Sequence, residues 1–343
     1  MFQENNILTR SELLSKLTSQ KNLYAPLKIE VVKKPSKRTR GFDTKVTVVW
    51  NNRKADFLAE VKARTSPKLV GESLRRLQNT LVKGKPNFLL IIPFLSKTIV
   101  EMLEREGLSG IDLNGNYLIQ SPEIMAIRLD QENRFKESQS IKKIFSGNSS
   151  LVGRLFLSSK RRFVSVNEVC SAIQVLGSSL SLSAVSKVLK GLEEELIIEK
   201  GKDGILLLQP DKLLQRLEED YRPPKVVSVT KLKIPSSPRD LGKLFSPSTQ
   251  WTLSGQSSAE RYAVTTPSDI VSIYTTDFDS LEKYEDERFY NIILKKTADS
   301  FPFFDTRIGW SSPVQCYLEL SKLDKREREL ASSIRQSILE KLK

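Results

Sequence analysis

The sequence contains no histidine among its 343 residues. That absence excludes Ser-His-Asp and Cys-His catalysis, histidine general bases and zinc sites with histidine ligands. Only two cysteines are present, Cys170 and Cys316, which are too few for a structural zinc site. Their wide separation favours buried free thiols of a cytoplasmic protein over a disulfide. A hydrolytic activity in this chain would therefore depend on carboxylates, lysine and a metal ion.

Long apolar runs are also absent, and acidic residues are outnumbered. No stretch of eighteen apolar residues occurs, so no transmembrane helix is expected. The first residues, MFQENNILTRSELL, lack the basic-then-apolar layout of a signal peptide. The 55 lysines and arginines against 41 aspartates and glutamates give a formal charge of +14. This excess favours an anionic partner, with nucleic acid first and an acidic membrane surface second.

The segment 41–62, GFDTKVTVVWNNRKADFLAEVK, has the pattern of two strands joined by a tight turn. Asn51 and Asn52 are predicted to form the turn, because asparagine tolerates the positive φ angles that such turns require. The resulting register places Asp43 opposite Glu60, with Cβ atoms about 5 Å apart. Alternation of side chains along the strands predicts one core face. Its members are Thr44, Val46, Val48, Trp50, Phe57, Ala59 and Val61.

The other face of this hairpin carries Asp43, Glu60 and Lys62. Two neighbouring carboxylates can bind a divalent cation, and a nearby lysine can stabilise developing negative charge. The pattern Asp43…Glu60-x-Lys62 resembles that of the PD-(D/E)xK nuclease fold. The resemblance implies that Asp43 and Glu60 bind Mg²⁺ and that Lys62 assists phosphodiester hydrolysis, with Glu12 or Glu30 as a candidate further ligand. The alternative is an exposed hairpin with scattered charges.

The elements around the hairpin are predicted in the order helix, three strands, helix, strand, helix, strand pair. The flanking segments are helix 8–21, strand 27–32, helix 66–81, a buried strand in NFLLIIPFL from residue 87, helix 96–106 and a strand pair within 108–119. This order resembles the core of the restriction-endonuclease-like fold and predicts such a domain over residues 1–130. The fold is also used for binding alone, so catalysis is a separate question.

A basic run precedes the hairpin and is predicted to contact a phosphate backbone. Its members are Lys33, Lys34, Lys37, Arg38 and Arg40. A solvated loop is the alternative. Residues 130–147 are polar and are predicted to be a linker.

A winged helix-turn-helix domain is predicted over residues 148–210. Three helices, 149–159, 165–177 and 181–195, precede a hairpin over 196–208 that is centred on Asp203-Gly204. Ser165 and Glu168 have the spacing of a capping box at the start of the second helix. The predicted DNA-contacting residues lie on the third helix and the wing. They are Ser183, Ser186, Lys187, Lys190, Lys200 and Lys202. The alternative is a winged helix used for protein contacts.

The rest of the chain is predicted to be a Pro-rich connector, 210–238, and an α+β domain, 239–343. Strands are expected at 272–276, 290–295 and near 303–305, and helices at 312–320 and 324–342. The LSGQSS motif is expected to be a strand-to-helix turn. A winged helix followed by WTLSG-x-SSA-x-RY, IYTTD and SSPVQCYLEL is similar to the AbiEi-type antitoxin and regulator family. The resemblance, over 149–343, implies a winged helix that represses its own promoter and a C-terminal domain that counters a nucleotidyltransferase-like toxin.

These features combine into a multidomain fold of α/β and α+β class and into three functional hypotheses. The first is a DNA-binding transcriptional regulator of the AbiEi antitoxin type. The second is an Mg²⁺-dependent DNA endonuclease, with Mg²⁺ as cofactor only if the nuclease-like site is active. The third is a protein-interaction antitoxin. The expected partners are double-stranded DNA and a cognate toxin protein, with no membrane partner; homodimerisation is left open.

Overall fold

A computed structural model gives a mixed α/β protein that divides into two compact units, residues 1–142 and 143–343. The structure describes residues 8–20, 22–32, 42–80, 86–135, 143–159, 162–234, 245–266, 268–277, 279–307 and 309–343. Within these residues, no helix has the length and apolar character needed to cross a membrane.

The first unit contains a seven-stranded sheet whose strands lie in chain order, β1 to β7. Its elements are α1 (Arg10–Ser19), β1 (Lys28–Val32), β2 (Thr44–Trp50), β3 (Arg53–Val61), α2 (Pro67–Thr80), β4 (Asn87–Ile92), α3 (Lys97–Arg105), β5 (Ser109–Asp112), β6 (Tyr117–Gln120) and β7 (Met125–Arg128). The first three strands pair antiparallel, β3, β4 and β5 pair parallel, and the last three pair antiparallel. The predicted element order is confirmed, and β7 is an additional edge strand.

Both faces of this sheet are covered. On one face, Leu13 and Leu17 of α1 belong to a buried cluster with Val46, Phe57 and other strand residues. On the opposite face, α2 and α3 contribute to a second cluster that includes Leu90 of β4. Burial on both sides explains why β4 reads as a continuous apolar run rather than an alternating one.

The second unit begins with three helices and a small sheet, in the order predicted for a winged helix. These are α4 (Ser150–Ser158), β8 (Arg162–Phe163), α5 (Val166–Val175), α6 (Leu182–Glu194), β9 (Ile198–Gly201) and β10 (Gly204–Leu207). The three predicted helices and the hairpin are present, and the two-residue β8 joins the hairpin as a third strand in the order β8-β10-β9. Gly201 pairs with Gly204, so the turn residues are Lys202 and Asp203, one position earlier than predicted.

The remaining elements differ from the prediction in two places. They are α7 (Pro210–Glu219), β11 (Val226–Leu232), β12 (Trp251–Leu253), α8 (Gly255–Ser258), β13 (Val271–Thr275), β14 (Ile292–Thr297), α9 (Pro313–Leu320) and α10 (Lys325–Glu340). The connector interpretation of 210–238 was wrong, because α7 buries three leucines and β11 pairs with β14. A strand near 303–305 was also wrong, since Phe301–Phe303 is a 3₁₀ helix with a proline in its first turn.

One buried cluster runs through the second unit from Ile144 to Leu342. It joins α4, α5 and α6 to α9 and α10. Ile144 and Phe145, which fall within the segment predicted to be a polar linker, are buried in it. The helices α4, α5 and α6 and the C-terminal helices therefore share a core.

Candidate functional sites

The register of the β2–β3 hairpin is the one predicted from the sequence. Thr44 pairs with Ala59 and Trp50 with Arg53. Asn51 and Asn52 have φ angles of 46° and 64°, as a turn with two positive-φ residues requires. The apolar face is buried as expected, with Trp50 only partly covered.

Asp43 lies just before β2 and is tied to the end of β3. Its backbone N–H donates to the carbonyl of Ala59 at 3.0 Å, and its Oδ2 accepts from the N–H of Val61 at 2.8 Å. Its Oδ1 lies 3.2 Å from a guanidinium nitrogen of Arg10 in α1. Asp43 therefore reaches the same strand end as Glu60, and a cation from another element contacts it.

Glu60 is a buried carboxylate beside a cation. Its Oε1 lies 2.8 Å from Nζ of Lys62 and accepts from Oγ of Ser73 in α2 at 3.3 Å. The side chain of Glu60 is only 5% exposed and that of Lys62 is 20% exposed. Alternation along β3 places Glu60 on the face covered by α2, where Ser73 can reach it. Neither Arg10 nor Ser73 was singled out from the sequence, because each lies far along the chain from its partner.

The predicted further ligands do not join this pair. The carboxylate of Glu12 accepts from the backbone N–H and the hydroxyl of Thr9 and closes a capping box at the start of α1. Glu30 pairs with Thr47, and Thr47 pairs with Asp56. Glu30 therefore lies level with Asp56, which is four positions before Glu60 on β3. That spacing is roughly 13 Å at about 3.3 Å per residue. Among the described residues, no group of three or more Cys, Asp or Glu is arranged to hold a metal ion. Lys33, Lys34, Lys37, Arg38 and Arg40 lie outside the described residues.

The helix α6, the predicted recognition helix, has one buried and one exposed face. Ser181 caps it by accepting from the N–H of Ala184 at 3.2 Å. Apolar residues at helical spacing bury the inner face: Val185, Val188, Leu189 and Leu192. The predicted contact residues Ser183, Ser186, Lys187 and Lys190 are all exposed. The preceding helix, α5, has the predicted cap, in which Ser165 accepts from the N–H of Glu168. The Glu168 carboxylate accepts from Val164 instead of Ser165.

In the β9–β10 hairpin, the two lysines predicted to contact DNA differ. Lys202 is in the turn and exposed. Lys200 is half-buried, with its Nζ 4.0 Å from a carboxylate oxygen of Glu193. Gly204 has φ of +111°, and a Cβ there would lie 2.3 Å from the carbonyl oxygen of Phe163. Only glycine allows β10 to approach β8 this closely.

No family model, curated protein or solved structure matches this chain.

A buried polar network, absent from the sequence predictions, links α4 to α9. Arg154 is 2% exposed and donates to Oε1 of Gln315. The amide nitrogen of Gln315 donates to Oε1 of Glu319 at 2.6 Å, and Glu319 Oε2 accepts from the N–H of Gly255 at 2.8 Å. Burial raises the pKa of Glu319 and lowers the pKa of Arg154 to about 10. No side-chain periodicity identifies such a network, because its members come from separate helices.

Proposed function

We propose that the chain is a double-stranded-DNA-binding transcriptional regulator of the AbiEi antitoxin type that uses α6 and the wing for recognition. The observation that carries this proposal is the exposed face of α6. Ser183 and Ser186 supply short hydroxyls there, and Lys187 and Lys190 supply positive charge. Hydroxyls reach base edges and phosphates, and lysines neutralise phosphates. The formal charge of +14 supports an anionic partner.

The experiment compares duplex binding by the wild-type chain and by the double variant Lys187→Ala, Lys190→Ala across a salt series. If each lysine neutralises one phosphate, the slope of log K against log salt becomes shallower by about 0.9 for each lysine removed. The matched control is Lys341→Ala with Lys343→Ala, which removes the same charge from two exposed residues at the end of α10. Binding by the α6 variant that equals the control would refute α6 as the DNA-contacting helix.

A second candidate function is Mg²⁺-dependent DNA endonuclease activity, supported by the arrangement of Asp43, Glu60 and Lys62 at one strand end. Carboxylate oxygens are the donors that Mg²⁺ prefers, so Asp43 and Glu60 fit this ion. Bound there, Mg²⁺ would polarise a phosphoryl oxygen and lower the pKa of a water. The Lys62 ammonium, 2.8 Å from Glu60, adds a positive charge suited to a phosphate.

Incubation of plasmid with the chain and Mg²⁺ or Mn²⁺ tests this second function. Cleavage by wild type that is lost in both Glu60→Ala and Lys62→Ala supports it. Retained duplex binding without cleavage under varied metals contradicts it.

The third hypothesis, a protein-interaction antitoxin, depends on binding to a cognate toxin protein. That binding stays a prediction from the sequence resemblance. Homodimerisation is left open.

A further inference from the structure

A cleft in the second unit is lined by none of the residues proposed to contact DNA. Its volume is about 430 Å³, within the range of about 300–1,000 Å³ that is typical of ligand sites. The apolar walls come from three side chains: Leu253 in β12, Trp310, which precedes α9, and Leu330 in α10. Gln256 and Ser257 of α8 add polar groups. The cleft is therefore amphipathic.

The charged residues around this cleft are mostly acidic. Glu260 and Glu327 line it together with Arg326, and Glu329 lines its continuation beyond Arg326. Three carboxylates and one guanidinium line the cleft and its continuation, so the lining is acidic in a chain whose formal charge is +14. This local sign disfavours a phosphate-bearing ligand and favours a cationic one.

The cleft is elongated. Thr265, Thr266, Arg326 and Leu330 line both the cleft and the adjoining depression, which extends to Ser333. Residues 326, 330 and 333 lie on one side of α10, since positions four and three apart are neighbours on a helix. From 326 to 333 the helix rises about 10 Å, which is the length of about three residues of an extended chain.

We propose that this cleft binds an extended segment of a protein partner in which basic and large apolar side chains alternate. The apolar walls would cover one side chain, and the carboxylates would pair with its basic neighbours. A small amine would leave those walls unused, and a nucleic acid would bring its phosphates towards the carboxylates. This interaction goes beyond DNA binding and uses different residues.

Fluorescence anisotropy tests the proposal with the full chain and two labelled pentapeptides. One alternates lysine and leucine, and the matched peptide alternates glutamate and leucine. We expect saturable binding of the lysine peptide and at least about fivefold weaker binding of the glutamate peptide. The double variant Glu327→Gln, Glu329→Gln should weaken binding of the lysine peptide about fivefold.

A charge-matched control is Glu123→Gln with Glu132→Gln, two exposed acids of the first unit, which should leave binding of the lysine peptide unchanged. The variant Lys187→Ala, Lys190→Ala should also bind this peptide as wild type does, which separates this interaction from DNA binding. Absence of binding, equal affinity for both peptides, or equal loss in the α10 and control variants would overturn the proposal. Thermal unfolding of each variant verifies that a change in peptide binding does not come from loss of the folded state.

Discussion

Lys62 places its ammonium 2.8 Å from Oε1 of Glu60, and Glu60 is almost fully buried. Lys45 and Asp56 form an ion pair of similar length, 2.7 Å, on the same sheet, and both of their side chains are exposed. The two pairs differ mainly in burial. Their comparison therefore measures what burial adds at the candidate nuclease site.

We expect Lys62→Met to lower the free energy of unfolding by about 1–3 kcal/mol, because it removes the ammonium that lies 2.8 Å from a buried carboxylate oxygen. Lys45→Met should change it by no more than about 0.5 kcal/mol, because exposed ion pairs contribute little. Urea unfolding of both variants provides the measurement. Equal losses would mean that the Glu60 carboxylate does not depend on Lys62.

The contact between Arg10 and Asp43, at 3.2 Å, predicts competition with a divalent cation. The guanidinium neutralises a carboxylate that a metal would need, so Arg10→Ala should tighten Mn²⁺ binding about two- to fivefold. Calorimetric titration without nucleic acid measures this affinity. Asp43→Asn is the control and should abolish the binding. Unchanged affinity in Arg10→Ala would show that Arg10 does not compete for the site.

Glu319 predicts a particular pH dependence of stability. Burial raises its pKa in the folded chain. Between the ordinary pKa and the folded pKa, the native state therefore retains a proton that the unfolded state has released. The favourable contribution of this group is fully present below the ordinary glutamate pKa of about 4.3 and is lost as the pH rises through the folded value.

The variant Glu319→Gln lacks this titration. The free energy of unfolding of the variant minus that of wild type should therefore increase as the pH rises from the ordinary glutamate pKa of about 4.3 through the folded value. Urea unfolding at several pH values gives the difference. Glu340→Gln, which removes an exposed acid near the end of α10, is the matched control. A flat or falling difference for Glu319→Gln would contradict the expected direction.

The turn at Asn51 and Asn52 predicts opposite effects for two substitutions. Asn52 has φ of 64°, which glycine adopts without steric cost. Asn52→Gly should raise the free energy of unfolding by a few tenths to about 1 kcal/mol, and Asn52→Val should lower it by about 1–2 kcal/mol. Urea unfolding distinguishes the signs. Stabilisation by valine would be incompatible with the described turn.

Local patterns predicted the elements whose signals lie within a few residues. The hairpin register follows from two-residue alternation and the Asn-Asn turn, and the boundaries of α5 and α6 follow from serine caps. The helix α7 was missed because the prolines that follow it, in DYRPPK and IPSSPRD, suggested a connector. Pro210 is in fact its first residue, a position where the missing N–H costs nothing.

The sequence by itself determined the order of the elements from α1 to β6, the exposed face of α6 and the proximity of Asp43 to the strand end that carries Glu60. Each depends on periodicity or on a turn. Only the tertiary structure decided that Arg10 contacts Asp43, that Ser73 contacts Glu60, and that a buried network joins α4 to α9. Those contacts join residues at separations of 33, 13 and 161 positions. The packing of whole elements brings such residues together, and neither periodicity nor local spacing specifies that packing.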